Sequence, residues 1–306
     1  MDENYDIGYV NVDSNDPLVP TTIAVQEGDA QIAGTITDEF IQDETIKSDI
    51  LFVIDNSCSM GDEQANVALN AGTFITFLEG SGADFQIAVI TTDDYTFRGP
   101  IITPSTPDVV AEFATQIVAG VMGSANEAGL EMAYKATSPG EAAGPGSTFL
   151  RPDAIFSLVF ISDEDDFSIQ PVPNYITHFL ALKTNPADVL VHAVAGQIPT
   201  TCAYASDAYR YFDVVASTAG LFLDICVPDW GTALETLADG SLIPNLDFPL
   251  TEIPIVYTIE VYVNGILVTT GWSYVGVDNA VVFTEQDAPE GGDLVEITYG
   301  YFEECP

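Results

Sequence analysis

Asp55, Ser57 and Ser59 form an alternating Asp-x-Ser-x-Ser motif directly after a continuous apolar run, residues 50–54. Alternation on an extended turn lets these three side chains face one point while the intervening residues face away. Carboxylate and hydroxyl oxygens are hard ligands that suit Mg²⁺, Mn²⁺ or Ca²⁺ better than zinc. The motif therefore predicts part of a divalent-cation site, and the remaining ligands have to come from neighbouring loops.

A second acidic segment, residues 162–166, directly follows another apolar run, residues 155–161. Runs of this kind are typical of strands that are buried on both faces of a parallel sheet. Ligands of open α/β sheets bind at the carboxyl ends of the strands, so we expect Asp163 on the same edge as Asp55. Glu127 and Asp93 could lie near this site, but solvated loop positions are the favoured interpretation for them. The carboxylates of residues 164–166 are likewise expected in a solvated loop and not in a second metal site.

The elements that must position these residues alternate between strand and helix from residue 48 to residue 240. Apolar segments predict strands at residues 50–54, 85–92, 155–161, 189–194 and 221–226. The intervening sequence predicts helices at residues 63–79, 107–118, 126–136, 175–183, 208–219 and 230–238. This alternation predicts an α/β fold, a doubly wound and mostly parallel sheet with helices on both faces.

The two ends of the chain have a different character. Residues 241–306 are rich in Val, Ile, Tyr and Thr, and Asn264-Gly265 is a strong hairpin signal. They predict a small antiparallel β domain. Residues 1–47 are acidic and β-leaning and predict an amino-terminal extension. Residues 1–6 have neither a basic stretch nor an apolar stretch, so we expect no signal peptide in this numbering.

Residues 48–240 resemble the von Willebrand factor type A (vWA) domains, whose metal-ion-dependent adhesion site (MIDAS) combines three separated elements. The Asp-x-Ser-x-Ser motif after the first strand matches Asp55, Ser57 and Ser59, and the Asp after the fourth strand matches Asp163. Aligning residues 123–130 on their Gly and Leu puts Ser124 in the place of the family's Thr, which keeps the hydroxyl. The resemblance implies that these five residues hold Mg²⁺, with Mn²⁺ or Ca²⁺ as alternatives.

A closer similarity, carried by residues 49–57, 91–93, 149–154 and 162–166, is to a bacterial subgroup of these domains in which many members are exported or surface-attached. The family implies an ion with one water-filled position, which an acidic group of a protein or glycan partner can occupy. We therefore expect metal-dependent adhesion. The alternative is a structural component of a virion (phage head, tail or fibre) or of an extracellular filament. Its partners would be assembly partners, and the metal would stabilise the fold.

The charge balance excludes two classes of partner. The chain has 6 Lys and Arg against 47 Asp and Glu, and its net charge is −41. So few cations cannot neutralise nucleic-acid phosphates or bind anionic lipid through a polybasic patch. No apolar run approaches the about 20 residues that span a bilayer, so we expect no membrane insertion. An acidic surface suits salty surroundings, and we expect exposure on a cell surface, in the medium or on a virion.

The cysteines and histidines leave two further expectations. Cys202 and Cys226 bracket a predicted helix, and they are either a disulfide or two buried thiols. Cys58 and Cys305 are candidates for a second disulfide. The chain has only two histidines, one on a predicted helix and one inside a predicted strand. Because they supply no general base with supporting residues, we expect that the protein is not an enzyme.

Overall fold

The computed structural model describes residues 7–11, 22–26, 34–42, 45–242 and 246–302. They belong to two compact units. The α/β unit comprises Thr45–Pro244, and the β unit joins Met1–Glu44 with Asn245–Pro306.

The strands in chain order are β1 (Ile7–Asn11), β2 (Thr22–Gln26), β3 (Gly34–Ile41), β4 (Lys47–Ile54), β5 (Asp84–Thr91), β6 (Ile155–Ile161), β7 (Val189–Ala195), β8 (Phe222–Asp224), β9 (Asp247–Pro249), β10 (Glu260–Val263), β11 (Ile266–Val268), β12 (Trp272–Val275), β13 (Ala280–Phe283) and β14 (Leu294–Tyr301). The helices are α1 (Gly61–Leu69), α2 (Ala71–Gly80), α3 (Val109–Ile117), α4 (Gly129–Ala136), α5 (Val172–Leu180), α6 (Tyr209–Val215) and α7 (Trp230–Gly240). Short 3₁₀ turns lie at Pro186–Asp188, Val256–Thr258 and Glu285–Asp287.

The α/β unit is built on a parallel sheet with the strand order β5-β4-β6-β7-β8. Successive residues of β4 alternate between two hydrophobic cores. Ile50, Phe52 and Ile54 pack with α1, α2, α3 and α7, whereas Leu51 and Val53 pack with α4, α5 and α6. Helices therefore cover both faces of the sheet, and the predicted fold class is confirmed.

The strand order places a topological switch point beside β4. The chain passes from β4 to β5 on one side and then returns to β6 on the other side. Connections on opposite sides of the sheet leave a crevice at the carboxyl ends of the two central strands, which is where ligands of such sheets bind. The backbone N–H of Asp55 donates to the carbonyl of Ile161 at 3.0 Å, so the pairing of β4 with β6 extends to this crevice.

One predicted helix is two helices in the structure. Residues 63–79 were expected to be continuous, but α1 ends at Leu69 and α2 begins at Ala71. The side-chain amide of Asn70 donates to the carbonyl of Asn66 at 2.9 Å, which ends α1. Asn competes for backbone groups in this way, because its short side chain reaches them in non-helical conformations.

The β unit contains antiparallel sheets, as predicted for the carboxyl-terminal part. They have the orders β11-β10-β14-β3 and β12-β13-β9, and β1 pairs with β2. Asn264 and Gly265 have positive φ angles of 52° and 74° between β10 and β11, as the hairpin signal predicted. Buried residues between the strands, including Phe248, Val261 and Ile297, form the core.

The amino-terminal segment differs from the expectation of a separate extension. Strand β3 pairs with β14 over its whole length, so this part of the first 47 residues belongs with the carboxyl-terminal strands. Asp38 in β3 accepts hydrogen bonds from Tyr299 Oη at 2.7 Å and Thr251 Oγ1 at 2.6 Å. The backbone N–H and C=O groups of β3 need partners along the edge of the strand, and β14, from a distant part of the chain, supplies them.

Across the described ranges, we find no helix with both the length and the apolar character that a membrane crossing requires.

Candidate metal centre

The turn that follows β4 carries a fully buried carboxylate. Asp55 has 0% of its surface exposed. Its Oδ1 accepts the backbone N–H of Ser57 at 2.7 Å, and its Oδ2 accepts Ser162 Oγ at 2.6 Å. These two bonds hold the carboxylate at the sheet edge and turn the chain back on itself, which places the two following serines beside it.

A row of hydrogen bonds joins this turn to the end of β6. Ser57 Oγ lies 3.1 Å from Ser59 Oγ, and Ser59 Oγ donates to Asp163 Oδ1 at 3.2 Å. Ser57 and Asp163 are buried, whereas Ser59 is exposed. Four of the five predicted ligands therefore lie together at the switch point, and the group opens to solvent on the side of Ser59.

Ser124, the fifth predicted ligand, does not join this group. Its side chain is exposed and its Oγ accepts the backbone N–H of Asn126 at 3.0 Å. Its own backbone N–H donates to Asp93 Oδ2 at 2.6 Å. Within the described residues it has no hydrogen bond to the other four, so its role as a ligand stays a prediction.

The loop before α4 is nevertheless docked on the turn. Gln64 Nε2 donates to the carbonyls of Asp55 at 2.8 Å and Gly120 at 2.9 Å, and Gly120 N–H donates back to Gln64 Oε1 at 3.0 Å. Gly123 N–H donates to the carbonyl of Asn56 at 2.8 Å. A Cβ on Gly123 would lie 2.5 Å from the Asn56 side chain, so glycine is needed for this close approach.

Glu127 is the residue that the sequence analysis misplaced. It was expected to be a solvated loop residue, and it is 0% exposed. Its carbonyl accepts the backbone N–H of Phe167 at 2.7 Å, and the next residue, Ala128, donates to the carbonyl of Thr92 at 3.3 Å. Loops from β5 and β6 thus hold it inside. The available signal was a single carboxylate among the small residues 123–130.

The carboxylates at this edge disfavour one another's ionised forms. Burial, together with the charges of Asp55, Glu63 and Glu164, raises the pKa of Asp163 to about 6 against the lowering effect of the Ser59 hydrogen bond. Burial also raises the pKa of Glu127 to about 7, with Asp55 and Glu164 adding to the shift. The site therefore holds more negative charge than its protein surroundings compensate.

The basic side chains are engaged elsewhere in the α/β unit. Arg151 pairs with Asp49 and Asp84, and Arg210 pairs with Asp166. None of the ion pairs among the described residues involves Asp55, Asp163 or Glu127. A buried carboxylate without a cationic partner is unfavourable, so a bound cation is a physically reasonable complement to the group.

The chemical type of the available ligand atoms decides which ion would fit this group. No group of three or more His, Cys, Asp or Glu side chains is arranged to hold a metal within the described ranges. The set therefore depends on the hydroxyls of Ser57 and Ser59 together with the carboxylates of Asp55 and Asp163. Such an all-oxygen set fits a hard divalent cation that keeps part of its water.

The structure joins Cys202 and Cys226 in a disulfide, with the two Cα atoms 5.7 Å apart. This corresponds to one of the two alternatives that the sequence left open. Cys58 lies between Ser57 and Ser59 in the turn that follows β4, and it is exposed. Its candidate partner Cys305 lies outside the described residues, so that pairing stays a prediction.

Several solved structures resemble this chain at low sequence identity. No protein-family model matches the chain, and no curated protein matches it. A von Willebrand factor type A structure from Catenulispora acidiphila is 11% identical with a TM-score of 0.43, covering 92% of this chain and 67% of its own. The pilus adhesin SpaC from Lactobacillus rhamnosus GG is 11% identical with a TM-score of 0.46, covering 90% and 41%.

Proximal thread matrix protein 1 from the mussel byssus is 13% identical with a TM-score of 0.43. The match covers 70% of this chain and 51% of the mussel chain, so this chain spans about half the length of that protein. Another structure of the mussel protein has a zinc-occupied MIDAS motif. Because every TM-score lies below 0.5, these likenesses carry no argument, and function has to be inferred from the site itself.

Proposed function

We propose that this chain is a metal-dependent binding protein of the vWA type. A divalent cation held by Asp55, Ser57, Ser59 and Asp163 bridges to an acidic group on a protein or glycan partner. The observation that carries the proposal is that these four residues lie in one hydrogen-bonded group at the switch point. No ion pair within the described part of the chain reaches this group.

The chemistry of the ion explains how the bridge would form. Mg²⁺ prefers six oxygen ligands and gives up its water reluctantly, so a site with four protein oxygens leaves positions for water. A carboxylate from a partner is a hard oxygen ligand and can take one of those positions. The exposed side of the group, at Ser59, is where a partner would approach.

A binding role is favoured over catalysis by the placement of the histidines. His192 lies buried in β7, and its Nδ1 accepts the backbone N–H of Leu221 at 3.0 Å. His178 Nε2 lies 2.8 Å from Thr137 Oγ1 and packs against Tyr134. Both imidazoles are engaged in packing and local hydrogen bonds, which supports the proposal that the ion binds a ligand without acid–base chemistry.

The acidic surface and the disulfide support an exposed location. Disulfides persist in oxidising surroundings outside the cytosol. A net charge of −41 disfavours direct contact with another acidic surface, and a bridging cation removes part of that penalty. We therefore place the protein outside the cell, on a surface or in an assembly.

The test uses Mn²⁺ as the probe metal and acetate as the probe carboxylate. Mn²⁺ binding is measured by calorimetry, and the water on the bound ion is measured by proton relaxation. We expect one Mn²⁺ per chain, loss of bound water when acetate is added, and loss of binding in Asp55→Ala. An exposed control, Asp213→Ala, should bind as the wild type does.

The outcomes separate adhesion from the structural alternative. Mn²⁺ binding without any exchange of water for acetate would point to a metal that stabilises an assembly component. No Mn²⁺ binding at millimolar concentration would contradict both roles.

A further inference from the structure

Glu127 is a fully buried acidic side chain that the four-residue donor set does not use. Both of its carboxylate oxygens are shielded from solvent, and no N–H or hydroxyl group among the described residues donates to them. The side chain that lies within hydrogen-bonding reach is the carboxyl of Glu164, which is itself an acid. Buried polar groups in folded proteins are nearly always partnered by protein, water or an ion. A buried carboxylate that faces another acid and receives no N–H or O–H bond from these residues therefore indicates a donor from outside the protein, such as bound water.

The neighbours of Glu127 place it against the metal centre. Its charged neighbours are Asp55, which is itself a ligand in the proposed site, and Glu164. The loop that leads to Glu127 is attached to the turn after β4 by the hydrogen bond from Gly123 N–H to the carbonyl of Asn56 at 2.8 Å. The peptide group that joins Glu127 to Ala128 is bonded to the loops that follow β5 and β6, through the Glu127 carbonyl to Phe167 N–H and through the Ala128 N–H to the Thr92 carbonyl.

A second unpartnered polar atom lies beside the same segment. Tyr211 is fully buried, and its Oη has no hydrogen-bond partner among the described residues. Asp55 and Glu127 are both among its charged neighbours. Gly129 leaves room for this hydroxyl, because a Cβ there would lie 2.4 Å from Tyr211 Oη. Glu127 and Tyr211 thus both carry buried polar atoms without an ordinary partner, and the charge of Asp55 acts on both, so ordered water in this region would satisfy them.

We propose that Glu127 is an outer-sphere member of the metal centre, whose carboxylate accepts hydrogen bonds from water bound to the cation. The family resemblance gives Ser124 as the ligand from this loop. In this proposal Glu127 supplies the contribution of the loop instead, through water. This inference rests on the proposed function. A direct bond to the ion is not proposed, because no three acidic side chains in the described ranges are arranged around one point. A carboxylate that acts through a bound water does not have to lie within bonding distance of the ion. Groups placed in this outer sphere commonly tune metal affinity.

The test compares Glu127→Gln with Ser124→Ala in the full chain, using Mn²⁺ alone as the probe. Loss of an outer-sphere partner lowers metal affinity about 10- to 100-fold. We expect a loss in that range for Glu127→Gln and wild-type affinity for Ser124→Ala. Glu79→Gln, which makes the same substitution at an exposed position on α2, is the matched control for charge and should also bind as the wild type does.

A second readout distinguishes this role from simple packing. Replacing an uncompensated buried charge by a neutral amide should raise the melting temperature of the metal-free protein, and the rise in melting temperature on adding Mn²⁺ should shrink. If Glu127→Gln binds Mn²⁺ as tightly as the wild type, or melts lower both with and without Mn²⁺, the inference is wrong and the proposed function stands. If the wild type does not bind Mn²⁺, the proposed function fails and the inference fails with it.

Discussion

Asp163→Asn should make the metal-free protein more stable while it weakens metal binding. Burial and neighbouring charges raise the pKa of Asp163 from 3.8 to about 6. A folded-state pKa above the unfolded value means that the stability from this group is fully present below pH 3.8 and is lost as the pH rises through 6. Above that range, the ionised carboxylate destabilises the metal-free fold.

The size of the effect follows from the shift. About 2 pKa units at about 1.4 kcal/mol each correspond to about 3 kcal/mol. The α/β unit, Thr45–Pro244, is in the size range in which 1 kcal/mol changes the melting temperature by about 2–4 °C. Asp163→Asn in chelator, well above the raised pKa, should therefore melt about 6–12 °C higher than the wild type.

The assay is thermal unfolding in chelator, followed by calorimetric titration with Mn²⁺. The matched control is Asp213→Asn, which removes the same charge from an exposed position on α6. The control shows how much the melting temperature rises merely because one negative charge is removed from a protein with a net charge of −41. If Asp163→Asn gains no more than the control, or keeps wild-type affinity for Mn²⁺, then Asp163 is not a strained ligand and the reasoning is refuted.

Three further perturbations test separate parts of the structure. Reducing the bond between Cys202 and Cys226, which are 24 residues apart, should lower the unfolding free energy by about 3 kcal/mol in denaturant titrations, and an unchanged midpoint would contradict this. Gly123→Ala places a Cβ 2.5 Å from Asn56 and should displace the loop, so that Mn²⁺ affinity falls while circular dichroism shows an intact fold; retained affinity would show that the loop is not coupled to the site. Burial lowers the pKa of His192 from 6.5 to about 4, so stability present above pH 6.5 is lost as the pH falls toward 4, by about 3 kcal/mol. His192→Gln should remove this part of the fall in unfolding free energy between pH 6.5 and 4, measured by denaturant titration at several pH values. The same fall in the variant and in the wild type would contradict the assignment.

The sequence predicted the central architecture because the buried strands carry an unambiguous signal. The continuous apolar runs at residues 50–54 and 155–161 became β4 and β6, with both faces covered by helices. The alternation of the Asp-x-Ser-x-Ser motif predicts that Asp55, Ser57 and Ser59 lie close together after β4, and hydrogen bonds link the three residues there. These are local properties of the chain, and local reasoning reaches them.

The features that were missed depend on contacts between distant segments. The pairing of β3 with β14 joins residues about 260 positions apart. The sequence of a single strand does not indicate which distant strand it pairs with. Glu127 was expected in solvent because it is a carboxylate in a loop, and its burial follows from how the loops after β5 and β6 close over it. The alignment that suggests Ser124 as a ligand reports residue type but not the direction of a side chain, so that assignment stays a prediction.

The central claim is tested most directly by counting the metal ions that bind to the wild type and to Asp55→Ala. Calorimetry with Mn²⁺ on the wild-type chain should give one site, and the same titration on Asp55→Ala should give none, with both proteins folded by circular dichroism. Equal binding by the two proteins, or no binding by either, would contradict the account.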